Sequence, residues 1–168
     1  FYERNPFHSR DQLAISKEYL YDLYDNQKIK KFDFEDFPRI WFTLRKYEGE
    51  YILNQRCDGQ EKVVYFSDSV MYLYSMELTL WKIKQVDIKE DFEMVVELEK
   101  YKFDKDTNSL FVKIQKTERN DVFVMTTNKN GENQTSFVTT KEYLKNFDLL
   151  VNHCPKEKVI EFDDKFDE

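Results

Sequence analysis

Histidine and cysteine carry most nucleophilic catalysis in proteins, and both are scarce in this sequence. The chain has only two histidines, His8 and His153, and two cysteines, Cys57 and Cys154. His153 adjoins Cys154, but neighbouring residues on a strand point to opposite faces, so adjacency alone does not bring the imidazole to the thiol. We assign no catalytic residue and favour a protein that is not an enzyme.

Glycine placement argues against a bound nucleotide cofactor. Loops that cradle phosphates need clustered glycines so that the backbone can approach the anion, whereas Gly49, Gly59 and Gly131 are each isolated. The stretch that starts at Asp104 begins like a calcium-binding loop, but Ser109 stands at the sixth position, where an EF-hand has glycine, and Gln115 at the twelfth, where it has glutamate. The sequence therefore predicts no cofactor and no metal site.

The cysteines and the first residue give the expected cellular location of the protein. Cys57 and Cys154 leave two alternatives open, one disulfide in an oxidising compartment or two unrelated buried thiols. The chain begins with Phe1 rather than Met, as expected if a signal peptide or a lipid anchor has been removed upstream. We expect an extracytoplasmic protein that is periplasmic, anchored to the envelope as a lipoprotein, or secreted.

The net charge of the chain limits the classes of partner that it is expected to bind. A formal charge of −7 disfavours DNA and RNA, because their binding depends on Lys and Arg neutralising phosphates, and it equally disfavours anionic membrane surfaces. The same charge is compatible with a basic protein partner. No apolar run approaches the ~20 residues of a transmembrane helix, so none is predicted within this chain.

Aromatic residues are unusually abundant and supply the candidate binding site. Phe, Tyr and Trp make up 17% of the chain, which suits pleated, half-buried surfaces and favours sheet. The densest group lies on three consecutive predicted strands and comprises Tyr65, Tyr72, Tyr74 and Trp81. Tyr and Trp offer large contact areas with a polar group, so we predict that these four residues bind a ligand; ordinary packing is the alternative.

The elements that must position this group begin with a helix. Ser9 and Gln12 fit a capping box, and apolar residues at helical spacing then predict a helix over residues 10–27. The alternating stretch Phe32–Phe37 is either a short edge strand or an arm whose aromatic side chains tuck under the sheet, and Pro38 ends it.

From Arg39 onward the hydrophobic pattern has a period of two, with turn residues between the segments. The predicted strands are Arg39–Lys46, Tyr51–Cys57, Lys62–Phe66, Val70–Met76, Glu77–Val86, Asp91–Phe103, Leu110–Gln115, Val122–Thr127 and Ser136–Thr140. A change of phase between Leu80 and Trp81 predicts a bulge or bend in the fifth of them. Residues 128–134 are predicted as a polar loop.

Such a succession of short strands describes an up-and-down meander, and closure into a barrel would remove its exposed edges. We predict a mainly β single domain over 1–168. It consists of an N-terminal arm and helix (1–38), an antiparallel meander that closes fully or partly into a barrel (39–140), and a C-terminal part (141–168). The last part contains a short helix over Lys141–Phe147, a strand over Lys158–Phe162 and an acidic tail.

A meander with this aromatic load resembles the lipocalin and calycin group, whose bacterial members include small envelope proteins. The resemblance covers residues 39–140 and is one of pattern. Lipocalins carry a Gly-x-Trp signature on the first barrel strand; here Trp41 occupies the tryptophan position and Arg39 the glycine position. The resemblance implies a cavity for a small, largely apolar ligand.

Two functions are therefore expected. The first is a non-catalytic, lipocalin-like protein that holds a small apolar or amphipathic ligand. The alternative is an acidic interaction or inhibitor module of the immunity type that covers a basic protein, using the acidic and aromatic stretches Phe32–Phe37 and Glu161–Glu168.

Overall fold

A computed structural model describes residues 30–56, 61–75, 78–99, 109–152 and 162–163. The chain divides into two compact units, Phe1–Lys31 and Phe32–Glu168, and the boundary falls inside the predicted N-terminal arm. The predicted helix over residues 10–27 lies outside the described residues. The prediction of one domain over 1–168 stays a prediction.

The described residues form strands from Ile40 onward, in a succession close to the predicted one. Their bounds are β1 Ile40–Tyr47, β2 Glu50–Gln55, β3 Val63–Phe66, β4 Val70–Tyr74, β5 Leu78–Lys89, β6 Glu93–Glu99, β7 Ser109–Lys116, β8 Phe123–Lys129, β9 Glu132–Thr140 and β10 Leu149–Val151. A 3₁₀ helix, Lys141–Asn146, follows β9 where a short helix was predicted.

Eight of these strands, β1 and β3 to β9, form a closed antiparallel barrel. Neighbouring strands pair in chain order from β3 to β9, and β9 then pairs with β1 through Phe137–Thr140 and Trp41–Leu44. The predicted closure of the meander is thereby confirmed. Closure leaves neither side of the eight-stranded sheet as an unpaired edge.

Strand β2 departs from the simple meander. The first half of β1 pairs with β3, whereas its second half, Arg45–Tyr47, pairs with β2 across a tight turn. Glu48 and Gly49 in that turn have φ angles of 50° and 83°, as a type I′ turn requires. Strand β10 pairs in parallel with β2, so both strands extend the sheet beyond the barrel.

A small second core lies on the outer face of β1 and β9, beneath β2 and the 3₁₀ helix. Its buried members are Leu44, Leu53, Val122, Leu144 and Phe147, and partly buried aromatic side chains pack around them. This core accounts for the apolar outer face of β1, where a barrel strand exposed to water would carry polar residues.

The barrel interior is apolar. Buried side chains form one contiguous cluster there, in which the strand residues are Trp41, Val64, Phe66, Met71, Trp81, Ile83, Met94, Val96, Leu98, Leu110, Val112, Ile114, Phe123, Met125 and Val138. On β6 and β7 these residues alternate with outward ones that are polar except for Val95 and Phe111, in the predicted period of two.

One detail of the strand predictions was wrong, and another was confirmed. Residues 128–134 form no loop, because Asn130 and Gly131 make a two-residue turn with φ angles of 57° and 87° and the strands continue to it on both sides. The bulge or bend predicted in the fifth strand is present as a register shift of β5 between Ile83 and Gln85, just beyond the change of phase at Trp81. That change arises because Leu80 faces outward and Trp81 inward, both being apolar.

Candidate functional site

The barrel end at which β1 and β8 begin is packed with aromatic rings. Phe34 and Phe37 come from the arm before β1, which is not a strand and places both side chains in the core. Phe37 stacks on Phe92 with ring centroids 4.4 Å apart, and Trp41 meets Phe123 edge-on at 5.1 Å. These five residues define the aromatic end of the barrel.

Trp41 is fully satisfied at this end. Its side chain has no exposed surface, and its indole Nε1 donates a hydrogen bond of 2.9 Å to the carbonyl oxygen of Pro38. The contact ties the arm to the first barrel strand. A buried indole N–H normally finds such a partner, because an unpaired donor loses its hydration without compensation.

Towards the opposite end, inward positions change from apolar to hydroxyl-bearing residues. Thr43 follows Trp41 on β1, Thr127 follows Met125 on β8, and Ser136 pairs with Met125. Thr79 occupies the corresponding inward position on β5, opposite the inward Leu73. Thr43, Thr79, Thr127 and Ser136 define the hydroxyl end, and all four are partly exposed although they face into the barrel. Solvent therefore reaches the inner wall here.

Trp81 lies next to the hydroxyl end. It is the next inward residue after Thr79 along β5, pairs with Met71 and is 5% exposed. Among the residues that the structure describes, nothing accepts a hydrogen bond from its buried Nε1. Two other buried side-chain atoms of the described chain also lack a partner, Thr140 Oγ1 at the aromatic end and Asn54 Oδ1 on β2.

The predicted ligand-binding group does not form one cluster. Tyr65, Tyr72 and Tyr74 alternate with the inward residues of β3 and β4 and so stand on the outer face of the barrel, whereas Trp81 is inside. Tyr65 and Tyr72 stack with centroids 5.4 Å apart, and Tyr72 is 6% exposed. Only Trp81 can therefore contact a ligand held in the barrel.

Residues that sequence reasoning missed complete the site. Thr43, Thr127 and Ser136 carry no motif, and their small hydroxyl side chains look like ordinary strand residues. The signal that could have found them is their place in the alternating pattern, because each of the three residues continues an inward row of buried apolar residues along its strand. The Thr43 hydroxyl donates to the carbonyl of Lys62 at 2.8 Å and the Thr127 hydroxyl to that of Gln134 at 3.2 Å.

A polar cluster outside the barrel packs against the second core at the aromatic end. Arg119 binds Asp121 through two hydrogen bonds of 3.1 and 3.2 Å, and its guanidinium lies over the rings of Tyr51 and Phe147. Asn146 of the 3₁₀ helix also donates to Asp121. The bond from Arg119 lowers the pKa of the Asp121 carboxyl, and the pKa of Arg119 is raised in turn.

Acidic residues on the outer face of β6 are paired with lysines. Glu93 contacts Lys113 and Lys89 at 2.8 Å each, and its pKa is lowered chiefly by the hydrogen bond from Lys113. Glu97 pairs with Lys84 of β5 and raises the pKa of that lysine. This part of the acidic surface is thus locally neutralised.

The described residues hold no group of three or more His, Cys, Asp or Glu placed to bind a metal ion. Within the same ranges, no helix has the length and apolar character needed to cross a membrane. Both cysteines, Cys57 and Cys154, lie outside the described residues, as do both histidines.

Comparisons with protein-family models, with curated proteins and with solved structures gave no match for this chain. The closed eight-stranded barrel is consistent with the lipocalin resemblance at the level of architecture only.

Proposed function

We propose that this protein is a non-catalytic, lipocalin-like binding protein that holds a small apolar or amphipathic ligand inside the barrel, at the hydroxyl end. The observation that carries the proposal is the partial exposure of inward-facing Thr43, Thr79, Thr127 and Ser136 above an apolar interior. Eight-stranded barrels are wide enough either to be filled by side chains or to hold one small ligand.

The chemistry of the inner wall fits such a ligand. The buried side chains below the hydroxyl groups, Met71, Leu98 and Met125, are apolar, and methionine side chains adapt to irregular shapes. An apolar wall with a few polar groups is the usual composition of small-molecule sites. An extracytoplasmic location, as a periplasmic, envelope-anchored or secreted protein, is part of this proposal.

The alternative, an acidic inhibitor module for a basic partner, has less support. It relied on free aromatic anchors in two acidic stretches, but Phe34 and Phe37 are buried in the core. In the second stretch, Phe162 packs edge-on against Tyr47 and lies under the guanidinium of Arg45. Within the described residues, the aromatic side chains that would anchor a partner are therefore engaged within the chain.

Native mass spectrometry of the freshly purified protein tests the proposal. We expect a small-molecule adduct that is lost on denaturation, and Ser136→Trp should abolish it by filling the hydroxyl end. Thr135→Trp is the matched control, because Thr135 is the neighbouring residue on β9 and faces outward. An adduct retained equally by both variants would place the ligand elsewhere, and no adduct after incubation with apolar probes would refute the function.

The denatured mass from the same experiment resolves the cysteines. A deficit of about two hydrogens indicates a bond between Cys57 and Cys154 and hence an oxidising compartment. The full mass indicates two thiols and removes that support for an extracytoplasmic location.

A further inference from the structure

The indole of Trp81 is an unsatisfied donor in an otherwise apolar setting. Its cross-strand neighbour is Met71 and the next inward residue along β5 is Ile83, which faces Leu98. Within the described chain, no acceptor reaches Nε1. A buried N–H without a partner is unfavourable, so the group is retained at a cost in stability.

Trp41 and Trp81 differ in the hydrogen bonding of their indole N–H groups. Both indoles are buried in the same interior cluster, yet Trp41 Nε1 donates to the carbonyl oxygen of Pro38 while Trp81 Nε1 finds no acceptor among the described residues. The unpaired donor belongs to the half of the barrel that solvent reaches through the hydroxyl end. Because Nε1 itself has almost no exposed surface, an entering molecule that supplies the missing acceptor must displace the side chains that cover it. The hydroxyl of Thr140 is also unpaired, but it lies across from Trp41 at the aromatic end.

The side chains around Trp81 favour a neutral acceptor over a charged one. A carboxylate buried against Trp81 would need a cation beside it, because an isolated buried charge is far more costly than a neutral polar group. The residues that flank Trp81 across and along the strands, Met71 and Ile83, are uncharged, and Thr79 is neutral. A neutral carbonyl oxygen meets the donor without that penalty.

Building on the proposed function, we propose that the ligand carries a neutral carbonyl group, as in a ketone, an ester or an amide, whose oxygen accepts the hydrogen bond of Trp81 Nε1. Its hydrocarbon part extends from Trp81 past Thr79 towards the hydroxyl end, because Met71 and Leu98 have almost no exposed surface. The indole thus sets the depth at which the ligand stops in the barrel.

The full chain labelled with nitrogen-15 offers a direct test, because its two tryptophans give two indole N–H signals. Methyl hexyl ketone and octane serve as probes with and without the carbonyl. We expect the ketone to move the Trp81 indole proton downfield, as a new hydrogen bond does, and to leave the Trp41 signal in place. Octane should bind without that downfield shift.

A second test measures the affinities of the two probes for tryptophan variants. We expect Trp81→Phe to weaken ketone binding about tenfold relative to its effect on octane, because only the ketone loses a hydrogen bond. Trp41→Phe is the control and should change both affinities equally. If this control variant does not fold, the spectra of the unaltered chain still decide the question.

Failure of the carbonyl inference and failure of the proposed function give different results. If both probes bind while the Trp81 signal does not shift downfield with the ketone and Trp81→Phe affects both affinities alike, the carbonyl inference is wrong and the binding function stands. If neither probe binds, the inference and the proposed function fail together.

Discussion

The aromatic end and the hydroxyl end are built from the same strands with opposite side-chain chemistry. Along β8 the inward residues run from Phe123 through Met125 to Thr127, and along β1 from Trp41 to Thr43. The first residue of each row is buried and the last is partly exposed. Close packing at one end supplies stability, which allows the other end to remain polar and accessible.

Substitution at either end of β8 should have very different effects on stability. Phe123→Ala removes a ring that contacts Trp41 and Phe92, and we expect it to lower the free energy of unfolding by about 3–5 kcal/mol. Thr127→Ala is the matched variant on the same face of the same strand and should cost less than about 1 kcal/mol. Urea unfolding of both proteins measures the difference. Equal losses would show that the two ends contribute alike.

The two tryptophans allow a finer test of the same contrast. Trp41→Phe and Trp81→Phe remove the same volume, but only the first breaks a hydrogen bond, that to Pro38. We expect Trp41→Phe to be more destabilising by about 1–2 kcal/mol, because Trp81→Phe also relieves an unpaired donor. Urea unfolding without added ligand measures this difference. A larger loss for Trp81→Phe would mean that its N–H is already satisfied in the free protein.

Acidification should weaken the aromatic end through the cluster outside it. The pKa of Asp121 is lowered in the folded protein by its bond with Arg119, so the carboxylate stabilises the fold above its ordinary pKa of 3.8. That contribution is lost as the pH falls from this value through the lowered one. Asp121→Asn should therefore show a flatter loss of stability between neutral and acidic pH, measured by urea midpoints. An unchanged pH profile would exclude Asp121 as a source of acid sensitivity.

Much of the fold could be predicted from the sequence because alternation reports burial directly. The inward row of Met94, Val96 and Leu98 on β6 is recognised from its spacing alone, and the structure confirms it. The extension of β8 and β9 to a tight turn was missed because the residues near the turn are polar on both faces, so no alternation marks the strands there. The Asn130–Gly131 pair, which favours a type I′ turn, was the signal that could have found it.

The candidate site was predicted only in part, since nearness in sequence does not fix which face of a strand a residue occupies. Tyr65, Tyr72 and Trp81 fall on consecutive strands, yet register places the tyrosines outside and the tryptophan inside. The closing pair of β1 with β9 defines which face is the interior, and that pairing joins residues almost a hundred positions apart.

By itself the sequence determined that the chain forms antiparallel sheet, where most strands lie and which chemistries lack their residues, because these depend on composition and local periodicity. Tertiary structure alone decided that β2 leaves the barrel and that Phe34 and Phe37 fill its aromatic end. It alone also decided that the indole of Trp41 has an acceptor while that of Trp81 has none within the described part of the chain. These features depend on contacts between distant segments, which no local pattern of residues encodes.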